Sequence, residues 1–165
     1  MFNILENKKF IPIKELKVYQ LARKLSIIAW NIYSKMSFED KKHIGDQFIR
    51  STDSIGANIA EGYSRFHFLD KVRFYYNARA SQSEATDHWL ELLLERNKIK
   101  QVTFDEYKTI SKDLQIKLNN FIKLTKDENS SEKEIKKIEV SDISIYFYLY
   151  RCISSYFNIF TGFFV

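Results

Sequence analysis

Residues 50–65 read RSTDSIGANIAEGYSR, a run of serine, threonine, asparagine and two glycines set between segments of clear apolar periodicity. A core-facing helix ordinarily carries Leu and Ala at such positions, so the run is either a loop or a helix with an unusual face. The apolar residues decide for a helix. Ile55 and Ile59 lie four apart and continue the anchors Ile44 and Phe48, so one helix is expected from about Phe38 to Glu61. On that helix Gln47, Arg50, Ser54, Asn58 and Glu61 step by three, four, four and three, which places them in one polar stripe. Gly56 and Ala57 make another part of it slim enough for a neighbouring backbone to approach. Gly62 is placed to end the helix in the left-handed conformation that glycine tolerates cheaply.

The same period extends in both directions. Upstream, Val18, Ala22, Leu25, Ala29, Ile32 and Met36 form a seam on a helix from about Lys14 to Met36, and Ser37 with Asp40 resembles a cap for the next helix. Downstream, Phe68, Val72, Tyr75, Tyr76, Trp89, Leu90, Leu93 and Leu94 mark a third helix to about Arg96. Thr103 and Glu106 read as a capping box for a fourth, carrying Tyr107, Ile110, Leu114, Leu118, Phe121 and Leu124. Short connections make sequential helices antiparallel neighbours. The expected fold is therefore all-α, an antiparallel up-and-down four-helix bundle over 1–126 with a C-terminal aromatic-rich extension.

That extension has two parts. Residues 127–140 read as a polar linker or helix extension. In residues 141–165, nine of the 25 side chains are aromatic and Asp142 and Arg151 are the charged ones. Arg151, Ser154, Ser155 and Asn158 disfavour a membrane span, and a segment that covers an apolar patch on the bundle or on a second subunit is preferred. The opening residues lack the pattern of a secretory signal, so a cytoplasmic protein is expected. One cysteine, Cys152, excludes an internal disulfide framework.

Charge is uneven. Residues 1–126 hold 22 Lys/Arg against 15 Asp/Glu, and the remaining residues hold 4 against 6. The bundle is thus the basic part, compatible with an anionic partner.

Catalysis finds little support. Histidine is scarce, at His43, His67 and His88, and Asp40 with His43 or Glu84 with His88 is the nearest approach to the carboxylate–histidine spacing of bundle metal sites. Bridging glutamates are not evident, so no metal, no cofactor and no catalytic residue is expected. In the third helix, Ala78, Ala80, Ser81 and Ala85 with Arg79 and Glu84 form a second polar, small-residue interruption. A hydrogen-bonded network between the two helices is expected, drawing on Gln47, Arg50, Ser54, Asn58, Glu61, Arg79 and Glu84.

The segments LKVYQLARKL, QFIRSTDSIGANIAEGYSR and ARASQSEATDHWLELL together resemble the family of small four-helix-bundle proteins encoded in intervening sequences of bacterial 23S ribosomal RNA genes. That family is related to the accessory protein of diversity-generating retroelements. The similarity covers about Leu16 to Lys126, and Arg50, Ser54, Ile55, Asn58, Ile59, Ala60, Glu61, Gly62, Arg65, Ser81 and Glu84 follow its pattern. Ala80, where the family usually has glycine, departs from it, and so does the aromatic tail. The resemblance implies a non-catalytic homo-oligomer, a pentameric ring, whose basic surface suits RNA or DNA, and in the retroelement relatives a reverse transcriptase as partner. Phosphate contacts are expected from Lys17, Arg23, Lys24, Lys41, Lys42, Arg65, Lys71 and Arg73, with little base readout. The alternative is a protein-interaction scaffold that binds no nucleic acid.

Overall fold

The computed structural model describes residues 11–128 and residue 130. The chain divides into two units, Met1–Thr125 and Lys126–Val165, and the architecture below is that of the first. The expected linker at 127–140 lies almost wholly, and the aromatic extension at 141–165 entirely, outside the described residues.

Four long helical segments build the first unit. A 3₁₀ turn at Ile13–Glu15 leads to α1 (Lys17–Ser34), with Leu16 in extended backbone between them. The single continuous helix expected from Lys14 is therefore broken. The second segment, α2, spans 38–64 as a first turn (Phe38–Asp40), a π-helical turn (Lys41–Gly45) and an α-helix (Asp46–Ser64). The third, α3, spans 68–95 with the same construction: Phe68–Ser83, a π-helical turn at Glu84–Trp89, then Leu90–Glu95. The fourth, α4, covers 101–125 in this unit, and the described residues of the second unit are helical as well.

Helix ends follow local chemistry. The Ser37 hydroxyl accepts the Asp40 backbone N–H at 3.1 Å, the cap read from the sequence. At the end of α3 the chain turns through Asn97 at φ 55°, where asparagine tolerates the left-handed region. Lys98 N–H then reaches the Leu93 carbonyl at 2.8 Å and Asn97 N–H the Leu94 carbonyl at 2.9 Å, satisfying carbonyls that the helix end would leave open. Two expectations are corrected here. Helix α4 begins at 101, with the Lys100 carbonyl accepting from Thr103 and Phe104, so Thr103 sits inside the first turn rather than capping it. Gly62 lies buried inside α2 rather than ending it, and among the described residues no glycine has positive φ.

Contacts between helices establish the topology. Tyr33 donates to Asp46 at 2.7 Å and Ser26 to Asp53, so α1 and α2 run antiparallel. Tyr75 packs on Phe121 with ring centroids 4.9 Å apart, Gln82 bonds Ser111, and Glu91 pairs with Lys108, so α3 and α4 do as well. With α2 packed against both α1 and α3, the arrangement is up-down-up-down. Every helix buries its periodic stripe. Leu25, Ala29, Ile44, Phe48, Ile55, Ile59, Leu90, Leu93, Leu114 and Leu118 are all within 1% of complete burial. Each large aliphatic among them contributes about 1.5–3 kcal/mol relative to exposure. On α4 the stripe passes through Ile122, and Leu124, placed in the core by spacing, is 61% exposed.

Candidate nucleic-acid interface

The eight cations singled out in the sequence fall at different levels of the bundle. Lys17 opens α1, Arg65 follows α2, and Lys71 and Arg73 lie in the first turns of α3, all at the end where Gly62, Tyr75 and Phe121 meet. Lys41 and Lys42 lie at the opposite end, in the π-helical turn of α2, while Arg23 and Lys24 lie along α1. They do not make one patch. Lys17, Arg23, Lys24, Lys42, Arg65 and Arg73 are exposed, and Lys41 and Lys71 are half-buried.

Two of them rest on aromatic faces. The Lys41 ammonium stands 5.2 Å from the Tyr33 ring centre, and the Arg65 guanidinium 5.0 Å from that of Phe74. Such stacking orients a cation while leaving its outer side open to an anion. Arg65 also pairs with Glu61, one turn before it. Among the described residues the other seven form no ion pair.

The polar stripe on α2 faces outward. Gln47, Arg50 and Glu61 are exposed, Ser54 and Asn58 half-buried, and the Asn58 amide donates back to the Ser54 carbonyl at 2.8 Å. Arg79 reaches Asn119 on α4 at 3.5 Å and stands over the Tyr76 ring, and Glu84 accepts the Trp89 indole N–H at 3.0 Å. Among these seven the one mutual bond is that of Asn58 to Ser54, within α2; Glu61 pairs with Arg65, and neither Arg79 nor Glu84 bonds a member of the α2 stripe.

Different residues form the network between helices. Thr52 and Tyr107 share a buried hydrogen bond of 2.8 Å between α2 and α4. On α3 and α4, Gln82 donates to Ser111 at 3.0 Å, and Ser111 and Thr86 share a bond of 2.7 Å. All five are buried. The signal was present: Thr52 falls between Phe48 and Ile55, and Ser111 between Tyr107 and Leu114, in the apolar stripe itself. A polar residue at a core-facing position must find a partner inside, because an unpaired buried hydroxyl is costly. Burial raises the Tyr107 phenol above its ordinary range, against the smaller opposite effect of the Thr52 hydrogen bond, so the hydroxyl stays protonated.

The loop end is tied across helices by Lys98, whose ammonium meets Asp40 at 2.8 Å. The Lys98 hydrogen bond, followed by that of Ser37, holds the Asp40 carboxyl below its ordinary value of 3.8. The contribution of this contact is fully present above the unfolded carboxylate value and is lost as pH falls through the lower folded one. A carbon-detected titration of Asp40 should give a midpoint under 3.8, and Lys98→Ala should move it back up. An unmoved midpoint in that variant would show that Lys98 is not the cause.

His43, His67 and His88 are exposed, and Asp40 and Glu84 are engaged as described. Among the described residues no group of three or more His, Cys, Asp or Glu side chains could hold a metal ion, and no helix is long and apolar enough to cross a membrane.

These features define a small antiparallel helical bundle with unspent cations on its exterior. The chain belongs to the 23S rRNA-intervening sequence protein family, whose profile matches residues 14–120. A crystal structure from Bacteroides thetaiotaomicron VPI-5482, of a protein with unknown function from the S23 ribosomal protein family, is similar at 26% identity and a TM-score of 0.59. The match covers 64% of this chain and 95% of that one. No curated protein matches the chain.

Proposed function

We infer that this chain is a non-catalytic, cytoplasmic, homo-oligomeric bundle that binds RNA through phosphate contacts. The observation that carries this reading is the state of its exterior cations: of the eight singled out, seven form no ion pair among the described residues, so their charge is available to an external anion. The family is named for an insert in ribosomal RNA, which favours RNA over DNA. Closed symmetry would repeat each weak contact, and the ring of five implied by the family resemblance would turn scattered cations into a continuous basic belt.

Fluorescence anisotropy of a structured RNA, titrated across salt with mass followed by light scattering, tests this. Affinity should fall linearly with salt on logarithmic axes, and Lys71→Glu with Arg73→Glu should weaken binding roughly tenfold and reduce the slope by about one unit per lost contact. Absence of binding at low salt would sink the reading.

A second reading, a scaffold for a polypeptide partner such as a reverse transcriptase, is favoured by one feature. Phe66 and Leu69, at the α2–α3 connection, are 90% and 77% exposed. Salt-insensitive partner binding lost on Leu69→Asp would support it.

A further inference from the structure

At the loop end, the later half of α1, the α3–α4 connection and the start of α4 line an open cleft of about 470 Å³. Its wall combines two kinds of surface. Ile28, Ile32 and Ile99 supply an apolar floor, while Lys35, Lys98 and Lys100 bring ammonium groups, with Asn31, Thr103 and Glu106 completing the lining. Lys98 is held by Asp40, and among the described residues Lys35 and Lys100 form no ion pair. Against the single carboxylate of Glu106 the cleft therefore carries a net positive charge. Helix α4 starts at its edge; the Lys100 carbonyl takes the Thr103 and Phe104 N–H groups, and the positive end of the helix dipole favours an anion there.

A bare phosphate would satisfy the cations and leave the floor empty, because the volume lies in the range of small-molecule sites. A bare apolar ligand would leave the lysines without a counter-charge. A nucleotide unit would meet both, with the isoleucines as a surface for the base, Lys35 and Lys100 as counter-charges for the phosphate, and Asn31 and Thr103 as hydrogen-bonding groups for base or ribose. We propose that this cleft binds a nucleoside monophosphate unit, presented either as a free nucleotide or as the phosphorylated end of a strand. The site goes beyond the phosphate-backbone reading and does not require it, since a mononucleotide would occupy the cleft whether or not the exterior holds RNA.

Calorimetry on the full chain with AMP and adenosine provides the test. AMP should bind once per chain, adenosine at least tenfold more weakly. Lys35→Ala and Lys100→Ala should each weaken AMP about fivefold or more, whereas Lys71→Ala should leave it unchanged. Both cleft lysines are exposed, so thermal unfolding of these variants should match the parent and exclude misfolding. Competition then assigns the source: displacement of AMP by a 5′-phosphorylated oligonucleotide, but not by its 5′-hydroxyl counterpart, identifies a strand end, and displacement by mononucleotides alone identifies a free nucleotide. No AMP binding at millimolar concentration, equal binding of adenosine, or AMP binding indifferent to both cleft lysines would overturn the proposal. RNA binding that persists in that case would leave the backbone reading standing by itself.

Discussion

Gly62→Ala is expected to destabilise the bundle by about 1–3 kcal/mol, although alanine is the better helix former by roughly 1 kcal/mol. A Cβ at this position would lie 2.6 Å from Cε1 and 2.9 Å from Cδ1 of Tyr75, and 3.0 Å from Cβ of Phe74. The ring cannot swing aside freely. Tyr75 is 2% exposed and packs on Phe121 across the bundle, so relief requires α2 and α3 to separate. Gly56, in the same helix, is the matched control. Its added Cβ would meet Cβ of Ala22 at 3.7 Å and Cε2 of Tyr19 at 3.9 Å, ordinary contacts with room for a methyl. Gly56→Ala should therefore stabilise by about 0.5–1 kcal/mol. Urea unfolding of both variants checks the pair, and equal stability of Gly62→Ala and the parent would show that the crowding is relieved without cost.

Tyr107→Ala should cost still more, about 3–5 kcal/mol. The ring is completely buried and packs on Phe48 at 5.5 Å, so truncation leaves a cavity between α2 and α4. It also strands the Thr52 hydroxyl, which is equally buried. Two gentler variants separate these effects. Thr52→Val leaves the phenol hydroxyl without its partner and should cost about 1–3 kcal/mol. Combining Thr52→Val with Tyr107→Phe removes both polar groups and should recover much of that loss. Additive losses in the double variant would mean that the hydrogen bond has no role in holding the pair. The raised phenol gives the parent a matching pH dependence: its contribution is full below the ordinary tyrosine range and is lost as pH rises toward the folded value.

How much of this was legible in the sequence depended on the kind of information each feature carries. Four amphipathic segments with short connections were readable because helix period and burial are the same signal. Ile44, Phe48, Ile55 and Ile59 are spaced for one face, and all four are buried. The two π-helical turns were not legible, since an extra residue in a turn changes which later residues face the core without altering composition. Lys41–Gly45 lies upstream of the polar run at 50–65, and Glu84–Trp89 overlaps only the end of the small-residue stretch closing at Ala85. The polar stripe of Gln47, Arg50, Ser54, Asn58 and Glu61 lies exposed or half-buried on α2 and makes no hydrogen bond to Arg79 or Glu84 of α3. Sharing a helix face is a local property, whereas facing a neighbour depends on how the helix is rotated in the bundle. The cations of the candidate interface were named from charge alone. Lys98 and Lys100 were passed over because the cleft that makes them notable is formed jointly by α1 and the approach to α4, far apart in sequence.

The amino-acid sequence by itself determined the helices, their order, the basic bias of the bundle and the membership that its Arg50 to Arg65 run announces. Each rests on residues within a few turns of one another, where side-chain period and local capping act directly. Tertiary structure alone decided which glycine is indispensable, which hydroxyls are paired, and which lysines converge on one cleft. Those properties depend on distances of a few ångströms between residues tens of positions apart, such as Thr52 and Tyr107 or Gly62 and Tyr75, and such distances come into being only when the helices pack.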